Sequence, residues 1–181
     1  MLLTSRTLAR AITAVALAAA PSVARAQQTL DPVHVSAAPV ARADRLEAEA
    51  AALPSELAQF PKAARLYEEA AAARPFGETR TAQSLRTAAF YRYHSGNSAA
   101  SVRLLERAAE NALAAGDVVA AANSYIDAAL VADEMRATDR SVDLAQRAER
   151  LSRSPLLDAT QRGALRTRIA NPTAVALLDH P

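Results

Sequence analysis

The 181-residue chain has no cysteine, no tryptophan, four glycines and a single lysine, Lys62. Without cysteine there is no disulfide and no lipid tether on a thiol, so an apolar core must hold the fold together. The scarce glycines form no phosphate-cradling loop. No segment alternates β-branched and polar residues as a sheet requires. The longest apolar run, Ala11 to Ala20, falls well short of the roughly 20 residues that a membrane-spanning helix needs. Histidine occurs at 34, 94 and 180, too scattered for a zinc site or a His-centred triad. Glu68-Glu69 and Asp133-Glu134 are adjacent acids, and neighbours on a helix point about 100° apart, so neither pair converges on one substrate atom. These absences argue against an enzyme, a metal site and a bound cofactor.

What the chain does have begins with a leader. Arg6 and Arg10 precede the short apolar run, Pro21 breaks it, and Ala24-Arg25-Ala26 is a small-x-small cleavage signal, the grammar of a secretory signal peptide over residues 1–26. Cleavage would place Gln27 first and leave 18 basic against 19 acidic residues, so the basic balance of the whole chain is no sign of nucleic-acid binding. The expected location is the bacterial periplasm or the exterior, with no membrane insertion after cleavage. Residues 27–43 read as a flexible linker punctuated by Pro32 and Pro39. Within it, Leu30 to Ala37, including Val33 to Ser36, resembles the short extended motif near the start of TonB-dependent receptors. The remaining chain has no room for the β-barrel that follows it there, and a tether is the better reading.

From Asp44 the spacing is helical. Helices are expected over about 44–53, 62–73, 78–94, 99–114, 117–135, 139–151 and 158–169. Pro61 suits a first helical turn, Asn97 or Ser98, Asp117 and Asp139 suit N-caps, and Asp158 with Gln161 suits a capping box. Asn171-Pro172 is expected to end the last helix and leave 171–181 as a tail.

The chain also repeats itself. Ala82 to Phe90 returns as Ala122 to Leu130, and Ser101 to Ala108 as Ser141 to Ala148, both at an offset of 40 residues. One offset shared by two segments points to a two-helix unit stacked on copies of itself. Ala63, Tyr67, Ala70 and Pro75 follow the second-helix pattern of the tetratricopeptide repeat. Leu85, Ala88 and Ala89, then Tyr125, Ala128 and Ala129, follow its first-helix pattern. Ser101, Leu105 and Ala108, then Ser141, Ala145 and Ala148, follow the second-helix pattern again. Over residues 44–152 the chain thus resembles a tetratricopeptide-repeat protein, though its repeat is longer than that family's usual unit and Pro54 interrupts the first helix. The resemblance implies an all-α domain over 44–170: an α-α solenoid of about three repeats, closed by a capping helix that Leu165 and Ile169 would anchor.

That family grips extended or helical segments of partner proteins on a concave face lined by its first helices. Carried onto this chain, the face would hold Gln83, Arg86, Phe90 and Tyr93 on one helix and Asn123, Ile126, Leu130 and Asp133 on the next, with the aromatics and arginine as hot spots. The functional expectation is an exported scaffold that binds a protein or peptide, not nucleic acid. The alternatives are a self-assembling structural protein of the envelope, with a homo-oligomer left open, or a non-catalytic accessory subunit of an envelope complex.

Overall fold

A computed structural model of the chain describes residues 37–178. The leader, most of the linker, His34 and His180 lie outside the described residues. The described chain is all-α: α1 Ala37–Ala51, a short 3-10 turn Leu57–Gln59, α2 Phe60–Ala73, α3 Thr79–His94, α4 Ser98–Ala114, α5 Val118–Glu134, α6 Thr138–Ser152 and α7 Ala159–Leu178. Each helix packs on the next in sequence. In addition, α5 packs on α7 and α3 touches α5, so the odd-numbered helices from α3 onward lie side by side.

Local chemistry sets most of the boundaries. Pro61 stands in the first turn of α2. The side chains of Asn97 and Asp117 accept from the amides of Ala100 and Ala120 and cap α4 and α5. Asp158 and Gln161 cap α7 reciprocally: the Gln161 amide donates to the Asp158 carboxylate at 2.7 Å, and the Asp158 amide donates to the Gln161 side chain at 3.0 Å.

Three boundaries differ from expectation. Helix α1 begins at Ala37, inside the expected linker. Pro39 lies in its first turn, where N–H groups have no intrahelical acceptor and proline loses nothing. Asp139 is a first-turn residue of α6 and not its cap; the N-cap is Ala137, which offers no side-chain bond. The backbone of α7 continues through Asn171-Pro172 to Leu178. One proline removes one interior hydrogen bond, and the turns on either side keep theirs.

The turns after α3, α4 and α5 share one geometry. Gly96, Gly116 and Arg136 all have positive φ, near 80°, 77° and 59°. In each turn the next residue's amide reaches back to a carbonyl five residues earlier: Asn97 to Arg92, Asp117 to Ala112 and Ala137 to Ala132, at 2.8–2.9 Å. This is a Schellman stop, which satisfies carbonyls the helix end leaves over. The left-handed residues stand 20 positions apart, half the sequence offset.

Positions related by that offset share burial. Ser84 and Ser124, Leu85 and Tyr125, Ala88 and Ala128, Ala89 and Ala129 are all buried, as are Ser101 and Ser141, Leu104 and Leu144, Ala108 and Ala148. Most of them belong to one apolar core running from Ala71 to Ile169. Alanine at the contacts lets helix backbones approach closely, and the larger Leu85, Tyr125, Ile126 and Leu144 fill the space between.

Two substitutions check this account. Ala129→Leu is expected to destabilise the fold by roughly 1–3 kcal/mol through overpacking, measured by urea unfolding. Gly116→Ala adds a methyl group that meets no atom within 4 Å. Its expected loss of about 1 kcal/mol would come from backbone strain alone.

Candidate functional site

Side by side, α3 and α5 form the walls of a groove of about 620 Å³, and Ser101, Leu105 and Ala112 of α4 lie at its base. From α3 come Thr79, Ala82, Gln83, Arg86, Thr87, Phe90 and Tyr93; the α5 side presents its cap Asp117 together with Ala120, Asp127 and Val131. The size is that of an ordinary ligand cleft. The lining mixes apolar and polar side chains, with Phe90 left 53% exposed.

The two walls are bridged. The Arg86 Nη2 donates to Asp127 Oδ2 at 3.0 Å. Two turns further along α3, the Tyr93 hydroxyl donates to Glu134 Oε2 at 2.5 Å. Both bridges join residues 41 apart, and Phe90 and Val131 line the groove at the intervening turn. The other oxygen of Asp127 accepts from Arg168 Nη2 of α7 at 2.7 Å, so one carboxylate ties three helices together. The hydrogen bond to Glu134 and the negative charge behind it raise the Tyr93 phenol above its ordinary value.

Phe90 also belongs to a ring cluster. It lies 4.2 Å from the His94 ring and 5.4 Å from Tyr91, while Phe60 meets Tyr91 edge-on at 5.1 Å and Tyr67 stacks on Tyr91 at 5.9 Å. His94 is thus ring packing at the end of α3, and among the described residues no three of His, Asp and Glu come close enough to hold a metal ion. No described helix is long and apolar enough to cross a membrane.

Of the expected site residues, Gln83, Arg86, Phe90 and Tyr93 line the groove together. Those expected from α5 do not join them. Ile126 is 1% exposed and sits in the core. Asn123 turns toward α7 and accepts from Arg168, while Leu130 and Asp133 lie outside the lining. The reason is geometric. Two helices that flank a groove present opposite sides to it, so a stripe copied from one to the other by translation points away, toward the following helix. Asp127 and Val131 were missed on that account, and Arg168 because its role rests on a contact across 41 residues.

A different arginine anchors the far side of the described chain. Arg74, at the end of α2, has a side chain with no exposure and donates to Asp44 at 2.5 Å, to both oxygens of Glu47 and to Ser84. Burial alone would raise the Glu47 carboxyl. Hydrogen bonds from Arg74 and Ser84 and the charges of Arg74 and Arg80 outweigh it and hold the carboxyl below the ordinary value.

Known protein families, curated proteins and solved structures were all compared with the chain, and none of them matches it.

The bridges make the groove's chemistry measurable. Because the native phenol of Tyr93 is raised, its bond to Glu134 stabilises the fold fully below the ordinary tyrosine value of about 10, and that contribution is lost as pH rises through the native value. Ultraviolet titration should show Tyr93 among the late-ionising tyrosines, beside Tyr67, which burial raises, and Glu134→Gln should lower the Tyr93 value while leaving that of Tyr67 in place. Asp127→Asn is expected to destabilise the fold by about 1 kcal/mol, because it loosens α3, α5 and α7 at once.

Proposed function

We propose that the chain is an exported helical-repeat scaffold, a tetratricopeptide-like solenoid of about three repeats with α7 as its cap, that binds a protein or peptide partner in the α3–α5 groove. The observation that carries this reading is the groove itself: a large exposed ring lining one cleft with an arginine, a glutamine and a threonine. Exposed aromatic and arginine side chains at the centre of a concave patch are the usual hot spots of a binding surface. The side-by-side contacts of α3 with α5 and of α5 with α7, and the shared burial at positions 40 apart, support the stacked-repeat part of it. The reading assigns the chain no catalytic step and no cofactor.

Export rests on the leader of residues 1–26. Amino-terminal sequencing of exported protein is expected to begin at Gln27; an intact Met1 on that protein would refute it. Groove binding is tested by partner capture from periplasmic extract with wild type and with a Phe90→Ala variant that still melts cooperatively. Phe90 is half exposed, so its truncation spares the core while removing ring area from the groove. The expected loss is more than about 1 kcal/mol of affinity, roughly fivefold or greater. A folded variant with the same partners at the same affinity would reduce Phe90 to ring packing and defeat the groove reading.

A further inference from the structure

Helix α1 stands outside the main apolar core. Among its described side chains Ala43 and Ala50 are buried and Val40 and Leu46 half-buried, and none of them belongs to the core that runs from Ala71 to Ile169. Two methyl groups and two half-buried side chains bury limited apolar area. What α1 brings to the contact is charge. Asp44 and Glu47 meet Arg74 and Arg80, with Arg80 at 3.0 Å from Asp44 and 2.8 Å from Glu47, and the Ser84 hydroxyl donates to Glu47. At the other end of the contact, Glu49 pairs with Lys62 at 3.3 Å.

Arg74 makes the dependence mutual. Its guanidinium is fully covered, and its acidic partners are Asp44 and Glu47 of α1, plus Glu78 at 3.6 Å from Nε. A buried arginine stripped of its main counter-charges is strongly unfavourable, so the surroundings must open to let water reach it. We propose that α1 is an electrostatic latch, released as a unit when Glu47 is neutralised, while α3 to α6 stay folded. The charged and titratable groups that face the Asp44 and Glu47 carboxylates are Arg74 from the end of α2, Glu78 from the connection and Arg80 from α3, with Tyr67 of α2 close enough to Glu47 to feel its charge. Through Glu47, Arg74 and Arg80 favour the closed state only while that carboxylate is ionised.

The direction with pH follows. A carboxyl held below its ordinary value stabilises the docked state above that value, about 4.3 for a free glutamate, and the contribution is lost as pH falls through the native one. The latch is therefore closed at neutral pH and opens in acid. Its opening also bears on the ring cluster. Ala50 at the end of α1, with Leu53 and Pro54 just after it, shares a cleft with Phe60, Phe90 and Tyr91, so release opens a cleft that Phe90 lines as well as the α3–α5 groove.

Hydrogen exchange read by mass spectrometry on the whole chain tests the latch, with protection corrected for the intrinsic pH dependence of exchange. On lowering pH from 7 to 3, α1 amides are expected to lose at least tenfold protection before α4 and α5 lose any. At pH 7, Glu47→Gln is expected to lower α1 protection at least tenfold and leave α4 and α5 unchanged. If Glu47→Gln fails to fold, Asp44→Asn, at a more exposed carboxylate, is expected to lower α1 protection at least threefold with the same selectivity. Loss of protection in α1 and α5 together over one pH range, or α1 protection unmoved by the substitutions, would overturn the proposal.

Discussion

Close approach of helix backbones at alanine is the constraint on which the rest of this structure depends. Ala88, Ala89, Ala128 and Ala129 are wholly buried, and a larger side chain at any of them would push two helices apart. The groove inherits its dimensions from that spacing. Arg86 reaches Asp127, and Tyr93 reaches Glu134, because α3 and α5 are held near enough for one side chain from each wall to meet. Wider separation would leave those polar groups facing water, and the groove would have a base and no bridges. A core built mostly of methyl groups also explains why the chain needs length: each contact contributes little, and stability comes from repeating it.

Much of the fold was legible because helix ends are local chemistry. Asn97, Asp117 and the Asp158–Gln161 pair announce their helices within four residues, and Gly96 and Gly116 announce the stops. Proline was less informative. Pro39 and Pro172 each read as punctuation, yet one lies in a first turn and the other inside a helix, and residue type alone does not separate these cases. The groove was half legible. The α3 stripe follows from helical spacing, but the facing stripe depends on how two helices are rotated about their axes, which no single-helix pattern contains. Ile126 was misplaced for that reason and ended in the core. Arg74 was invisible for another: beside Pro75 it looks like the frayed end of a helix, and its partners are 27 and 30 residues away.

The near absence of lysine has a counterpart in the structure. Arginines make ion pairs between residues 24 to 41 apart: Arg74, Arg80, Arg86, Arg92, Arg140 and Arg168. A guanidinium presents several donors in one plane, so Arg74 serves Asp44, Glu47 and Ser84 at once. An ammonium is a point charge that would serve such a set less well. Arginine thus fastens the seams where alanine supplies contact but no direction, and Asp127, shared by Arg86 and Arg168, fixes the rotation of α5 against both of its neighbours.

The three like turns at Gly96, Gly116 and Arg136 have a consequence for how such a chain can change length. A helix and its stop form a tile of 20 residues, and two tiles make the 40-residue repeat. Duplicating or deleting a whole pair of tiles keeps the stops and the buried alanines in phase. Gain or loss of a few residues inside a tile rotates everything downstream by about 100° per residue and turns buried positions outward. Variation in length is therefore quantised: tolerated in whole repeats, and resisted in between.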